Sequence, residues 1–272
     1  MLDLLFNNLA TGLFMAAAAC ELASLTAFSG VTTWAYPLAL GLLLVDLLFL
    51  VLDLGDWLRF HHMLRVFKPT SPMSLGTWFL TVYSLFPTVV VAVEVVTAVG
   101  WVPADSAIAW WVRKLAVAGG LPFAFGSAAY KGVLFSVTAQ PGWKDARWLG
   151  AYLINSAILL GAAQLLVIAE LMSELRAATI LRPAVGVLCV LNLLLLAVLA
   201  KNLGPTLAGV YPRNHRIAVG VAVATGVALS TGVLFVRGVA VSLLVLTVLV
   251  TTCVAVRAVI VDLPHRVGRQ SR

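Results

Sequence analysis

The sequence predicts an all-α polytopic membrane protein with eight transmembrane helices. Of its 272 residues, 62% are hydrophobic and only 11% are charged, whereas about a quarter of the residues in soluble domains are charged. Apolar stretches long enough for a membrane helix, which needs roughly 20 residues, recur along the whole chain. The first begins within five residues of Met1, without a basic segment or a cleavage site. It is therefore predicted to be a span and not a signal peptide.

The first four spans are predicted at residues 4–28, 35–55, 74–99 and 108–136. The Ser29-Gly30 and Tyr36-Pro37 pairs separate the first span from the second. Pro69 and Pro72 precede the third, and Trp101-Val102-Pro103 separates it from the fourth. Gly and Pro in these places are typical of helix ends.

The last four spans are predicted at residues 148–172, 183–204, 214–236 and 238–261. Gln140-Pro141-Gly142 precedes the fifth, Arg182-Pro183 the sixth, and Gly204-Pro205 with Tyr211-Pro212 the seventh. Little more than Arg237-Gly238 joins the seventh to the eighth, so these two should pack as a tight antiparallel pair. We expect two four-helix bundles in one membrane domain, at 1–137 and 147–261, followed by a basic tail at 262–272.

The distribution of basic residues predicts the orientation. With eight spans, both termini and the even-numbered connections lie on one side, which carries 12 of the 18 Lys and Arg residues against 5 opposite. The positive-inside rule therefore predicts a chain of the cell membrane with its termini and its second connection in the cytoplasm. The alternative is that a basic docking surface on the outer side of the membrane produces the same bias. The net charge of +7 comes from residues beside spans. No nucleic-acid partner is expected.

The densest polar stretch is the segment from Asp53 to Trp78, here called the hinge. Membrane proteins place such chemistry at the bilayer edge where something is bound or transferred. The alternative is a solvated loop whose His and Arg side chains only stabilise helix ends. Within 16 residues it contains Asp53, Asp56, Arg59, His61, His62, Arg65 and Lys68.

Charged side chains inside spans are functional candidates because burying them in the bilayer costs at least about 2.5 kcal/mol. The alternative is that the acids near span ends reach the interface and that amides tie helices together. Lys131 either snorkels to the interface or forms a pocket wall with Tyr130. The five charged candidates are Glu21, Asp46, Glu94, Lys131 and Glu170.

Histidines and cysteines restrict the cofactors. A haem-binding span needs His ligands at membrane depth, yet His61 and His62 lie in the hinge, His215 opens the seventh span and His265 lies in the tail. No haem is therefore expected. The three cysteines lie apart in apolar runs and are predicted to be buried thiols. The longest connection between predicted spans, residues 56–73 within the hinge, has about 18 residues, so any large catalytic chemistry must belong to another polypeptide.

Three stretches resemble one family. DLGDWLRFHHML with KPTSPMSLGTW in the hinge resembles the signature of the NrfD/PsrC family, the membrane subunits of polysulfide reductase and related enzymes. AYKGVLFS at 129–136 with QPGW, and LVLTVLVTTCVAVRAVIV with Arg257, are similar to two further regions of that family. Asp56-Trp57 replaces the family's Arg-Pro, and Lys131 replaces its threonine.

The resemblance implies a haem-free subunit that binds menaquinone or ubiquinone. Such subunits anchor a ferredoxin-like iron–sulfur subunit, which is wired to a catalytic subunit commonly carrying molybdopterin. The iron–sulfur clusters and molybdopterin then belong to the partners. Tyr130 and His62 are the candidate hydrogen-bond donors to the quinone headgroup. Asp53 orients a partner or relays protons, and Arg59 pairs with Asp53, with Asp56 or with a carboxylate of the partner subunit. Asn8 is a further candidate contact of the quinone. Proton-pathway candidates are Glu21, Asp46, Glu94, Lys131 and Glu170.

Two other classes of function remain open. Buried acids with Lys131 would also suit a secondary transporter or an ion-conducting subunit, and transporters often have broken helices at the middle of the membrane. Here the Pro and Gly clusters mark predicted span ends, and no inverted repeat is evident. A purely structural anchor without quinone is the third class.

Overall fold

A computed structural model describes residues 2–23, 26–53, 64–65, 67–103, 105–138, 143–232 and 236–270. The described residues form eight α-helices and no strands. Short 3₁₀ turns at Thr26–Phe28 and Trp143–Asp145 precede the second and fifth helices. The helices are α1 Leu2–Leu22, α2 Ser29–Leu52, α3 Pro72–Ala98, α4 Ala107–Val137, α5 Leu149–Leu171, α6 Leu175–Val210, α7 Arg213–Thr231 and α8 Val239–Gln270.

Six of the eight helices, namely α1, α2, α3, α5, α6 and α8, are long and apolar enough to cross a membrane. α4 is long enough at 31 residues, but it contains several glycines and three cations, which lower its hydropathy. α7 contributes only a shorter apolar segment, Val219–Thr231. The prediction of an all-α membrane protein is confirmed, and the count of eight spans stays a prediction.

Side-chain caps explain where two helices begin. Ser71 Oγ accepts a hydrogen bond from the Ser74 backbone N–H, and Pro72 occupies the first turn of α3. Ser106 Oγ accepts one from the Ala109 N–H at the start of α4. A Ser N-cap satisfies a backbone donor that the helix leaves free, and proline in the first turn has no such donor to lose.

Several predicted helix ends are wrong because proline lies inside helices. α2 continues through Pro37, and α6 runs unbroken through Pro183 and Pro205 for 36 residues. α8 passes Pro264 and continues to Gln270, into the predicted tail. Membrane helices tolerate proline because neighbouring helices and local adjustments satisfy the freed backbone groups.

α1 and α5 form the centre of the fold. In their apolar segments 78% and 83% of residues are buried, against 22–33% in the other four candidate spans. A Cβ on Gly12 would lie 1.9 Å from the Ala157 carbonyl oxygen, and one on Gly161 would lie 2.0 Å from that of Gly12. Glycine lets the two backbones touch, as is common between membrane helices. α1 also packs against α2 and α4, and α5 against α4, α6 and α8. The division into two bundles stays a prediction.

Candidate functional site

Two ion pairs join α1 to α4 at opposite ends. Lys131 Nζ lies 2.9 Å from Asp3 Oδ2, and Arg113 Nε lies 3.0 Å from Glu21 Oε1. On each helix the paired residues are 18 positions apart, which is about five helical turns, so they share one face and are separated by about 27 Å. This separation is close to the thickness of a bilayer core, which is about 30 Å.

Lys131 is the more buried partner of its pair, with a side chain 7% exposed against 16% for Asp3. Its ammonium group also lies 5.6 Å from the centre of the Tyr130 ring. The amine therefore has a carboxylate partner and an aromatic face within the protein. Asp3 was not among the predicted site residues, although an acid in the first turn of an apolar helix could have indicated it.

A buried polar contact lies one turn inward from this pair. Asn7 Nδ2 donates hydrogen bonds to Asp46 Oδ2 at 3.1 Å and to Ser127 Oγ at 3.0 Å. Asp46 is completely buried, and among the described residues its Oδ1 has no hydrogen-bond partner. Lys131 is close enough to Asp46 for a Coulombic interaction. The predicted candidates Asp46 and Lys131 therefore belong to one cluster.

The opposite ends of α1 and α4 contain a second cluster. Arg113 holds Glu21 through two hydrogen bonds of 3.0 Å and also binds Glu94. Lys114 Nζ lies 3.5 Å from Glu21 Oε1, and the Tyr36 hydroxyl donates to Glu21 Oε2 at 2.9 Å. Two carboxylates thus face two cations, so the formal charges balance. The predicted candidates Glu21 and Glu94 share this cluster.

Three buried aromatic rings lie between the two clusters. The rings of Tyr83 and Tyr36 lie 5.4 Å and 5.6 Å from that of Phe14, measured between centroids. The Tyr83 hydroxyl donates to the Ala10 carbonyl at 3.2 Å. Phe14 has no polar side-chain atom, so it separates the polar groups of one cluster from those of the other.

The two clusters and the three rings between them are here called the α1–α4 column. It comprises Asp3, Asn7, Phe14, Glu21, Tyr36, Asp46, Tyr83, Glu94, Arg113, Lys114, Ser127 and Lys131.

A pocket of about 190 Å³ lies beside Tyr130, between the end of the hinge and α4. Pro69, Pro72, Phe79 and Val133 give it apolar walls. The Tyr130 ring lies against Gly76, where a Cβ would be only 2.0 Å from Tyr130 Cδ2. The contact explains why a residue without a side chain occupies this position of α3. The pocket is therefore an open, largely apolar recess with Thr70 and Tyr130 in its wall.

The remaining predicted site residues are dispersed. Asp53 is exposed at the end of α2, and Arg59 and His62 lie outside the described residues. Asn8 is buried, and its amide donates to the Leu153 carbonyl of α5 at 3.0 Å. Glu170 forms an ion pair with Arg182 of α6. These contacts stabilise helix packing around α5.

A further buried cation was not predicted as a site. Arg257 of α8 is 1% exposed, and its Nη2 donates to Ser156 Oγ at 3.2 Å. Its Nε and Nη1, like the Tyr152 hydroxyl, have no hydrogen-bond partner among the described residues. Cys253 Sγ lies 3.2 Å from the same Ser156 oxygen. The feature of the sequence that could have indicated this site is a single arginine within an apolar run.

The family model for "Polysulphide reductase, NrfD" matches residues 3–263. The match includes the α1–α4 column, the pocket at Tyr130 and most of α8. The chain belongs to the NrfD family. A search of curated proteins finds no significant match. Membership in the NrfD family confirms the resemblance found in the hinge and identifies the chain as a membrane subunit of the polysulfide reductase and related class, whose members generally pair with other redox subunits.

Proposed function

We propose that the chain is the quinone- or quinol-binding anchor subunit of a respiratory oxidoreductase. It exchanges electrons with a ferredoxin-like iron–sulfur subunit, and a catalytic subunit carrying molybdopterin completes the complex. The observation that carries this proposal is the apolar pocket lined by Tyr130, at the end of α4 that pairs with Asp3, in a chain of the NrfD family.

The residues of the pocket fit a quinone headgroup. Its apolar walls suit the ring and the start of an isoprenoid tail, and the Tyr130 hydroxyl can donate a hydrogen bond to a carbonyl oxygen. A bound quinone supplies two-electron, two-proton redox chemistry, which no side chain here provides. His62, Asp53 and Arg59 of the hinge are the proposed partners from the adjoining segment. Asn8 remains a candidate contact, although its amide donates to the Leu153 carbonyl of α5.

The α1–α4 column supports coupling to proton movement. Asp46 has an unpaired carboxylate oxygen near the Lys131–Asp3 pair, so it can hold a proton close to the Tyr130 pocket. Glu21 and Glu94 provide carboxylates at the far end. Phe14 separates the two halves, so passage across the membrane requires the aromatic layer to rearrange. Glu170 remains a candidate, although Arg182 occupies its carboxylate.

The proposed topology has eight spans, with the termini and the hinge in the cytoplasm. Ion pairs at both ends of α4 support a crossing by α4, because their separation of about 27 Å matches the bilayer core. With α7 also crossing, the side with more Lys and Arg carries both termini.

The test is purification of the native complex, followed by assay of bound quinone and of partner subunits. Stoichiometric quinone together with a ferredoxin-like partner supports the proposal. Tyr130→Phe should abolish quinol-coupled turnover without loss of assembly. Tyr152→Phe is the matched control, because it also removes a buried phenol hydroxyl, from a side chain that packs in one cluster with Val256 and Ile260 of α8. Equal turnover of Tyr130→Phe and the native complex would exclude Tyr130 as the donor.

A secondary transporter or ion-conducting subunit is the alternative function. The observation that favours it is the α1–α4 column, whose buried Asp46 could serve as a coupling site. A chain that purifies alone, lacks quinone and drives solute uptake into liposomes would support this alternative over the redox proposal.

A further inference from the structure

A second cavity lies in the other half of the protein. It is a groove of about 310 Å³ between α6, α7 and α8, within the roughly 300–1,000 Å³ typical of ligand pockets. Its floor is formed by buried apolar residues of all three helices, including Leu199, Leu203, Val223, Val256 and Ile260. No residue proposed for the quinone site or the α1–α4 column lines it.

The groove is open at the outer surface of the helices. Its rim consists of the small, exposed residues Ala197, Ala200, Gly220 and Ala224. Large exposed apolar residues flank the rim on α6 and α7, among them Leu194 and Val221, both 59% exposed. In a membrane protein such a surface contacts acyl chains and not water.

One end of the groove is basic. Arg216, in the first turn of α7, lines the groove, and its Nε is buried without a hydrogen-bond partner among the described residues. A buried donor without an acceptor is costly, and the planar guanidinium matches phosphate geometry. Nearby, Arg266 is already paired with Asp262, which also accepts a hydrogen bond from Tyr211.

We propose that this groove binds an anionic phospholipid, with an acyl chain along the apolar floor and the headgroup phosphate at Arg216. Charge complementarity favours this occupant, since the apolar surface ends at a cation whose buried Nε has no hydrogen-bond partner among the described residues. Basic pockets between membrane helices bind anionic headgroups in this way. A quinone headgroup fits less well because its two carbonyls need separate donors, and Asp262 already engages the Tyr211 hydroxyl.

The experiment measures lipid retained by the complete chain. The protein is equilibrated in nanodiscs of phosphatidylcholine with phosphatidylglycerol, extracted into mild detergent and examined by native mass spectrometry. Arg216→Gln should retain roughly fivefold less phosphatidylglycerol, the change expected for one lost contact between a basic residue and an anionic lipid. Gly220→Leu should also displace the lipid, because a Cβ there meets nothing within 4 Å and the larger side chain can fill the groove.

Two matched controls make the result specific. Arg213→Gln removes the same charge three positions away, at an exposed residue that does not line the groove. Gly204→Leu adds the same side chain where a Cβ is equally free, outside the groove. Both controls should retain phosphatidylglycerol like the native chain. Inorganic phosphate should not displace it, because phosphate cannot fill the apolar floor.

Four outcomes would overturn the proposal. The first is an equal loss of phosphatidylglycerol in Arg216→Gln and Arg213→Gln, which would show that the lipid is held by general surface charge and not by the groove. The second is retention of phosphatidylcholine by the native chain to the same extent as phosphatidylglycerol. The third is complete displacement of the bound phosphatidylglycerol by inorganic phosphate. The fourth is the finding that the groove holds a quinone in place of a phospholipid, with Gly220→Leu releasing that quinone.

Discussion

Lys131 of α4 and Asp3 of α1 form an ion pair of 2.9 Å, and Arg113 and Glu21 repeat the pairing 18 residues along both helices. α1 and α4 therefore run antiparallel in constant register over about five helical turns. Gly120 lies at the intermediate position, where a Cβ would be 2.5 Å from Phe14 Cζ. This register aligns the polar groups of the two helices on one shared face.

Lys131→Met should destabilise the protein by roughly 3 kcal/mol, because it removes the buried cation that compensates the burial of the Asp3 carboxylate. Asp3 is only 16% exposed, so water cannot fully replace the lost cation. Unfolding in mixed micelles containing SDS measures the change in free energy. The double variant Lys131→Met, Asp3→Leu is the control and should recover much of the loss. If it is as unstable as the single variant, the pair does not stabilise the α1–α4 contact.

Gly76→Ala should impair quinol-coupled turnover by on the order of 10- to 100-fold, the cost of misplacing a reacting group by about 1 Å. The added methyl group would lie 2.0 Å from Tyr130 Cδ2, so the ring must move away from its position in the pocket. Steady-state kinetics of the purified complex measures the effect. Gly41→Ala is the matched control, because a Cβ there meets nothing within 4 Å. Unchanged kinetics in Gly76→Ala would refute the role assigned to the Tyr130 ring.

Asp46→Asn should slow proton uptake while leaving the fold intact. The amide keeps the size of the side chain and an oxygen that can accept from Asn7, but it cannot exchange a proton. A pH-sensitive dye in proteoliposomes measures uptake during turnover. Asp105→Asn is the control, because this residue is exposed and lies before α4. Proton uptake at the native rate in Asp46→Asn would remove Asp46 from the pathway.

Arg257→Leu should leave stability unchanged or raise it by about 1–4 kcal/mol. Replacing an imperfectly paired buried charge by an apolar side chain of similar size often has this effect. Two guanidinium nitrogens of Arg257 have no hydrogen-bond partner among the described residues, and Ser156 keeps its contact with Cys253. The SDS unfolding assay provides the measurement. A stability loss of several kcal/mol would show that Arg257 has a partner that compensates its burial.

Hydropathy alone determined the class of fold and the approximate positions of the helices. Each helix needs a long apolar stretch, and such stretches are local in the sequence. Pro183 and Pro205 were misleading because proline is a strong stop signal in soluble proteins, whereas a membrane helix can continue through it. The hinge motif likewise indicated the NrfD family from local residues, and Tyr130 was found beside it by the same resemblance.

Only the tertiary structure decided which polar residues meet. Asn7 and Asn8 are neighbours in sequence, yet Asn7 binds Asp46 and Ser127 while Asn8 binds the α5 backbone, because consecutive residues of a helix point in different directions. The pairing of Lys131 with Asp3 depends on the register of two helices in contact. Hydropathy does not encode that register, because it is set by the packing of small residues such as Gly12 and Gly161 along the central helices.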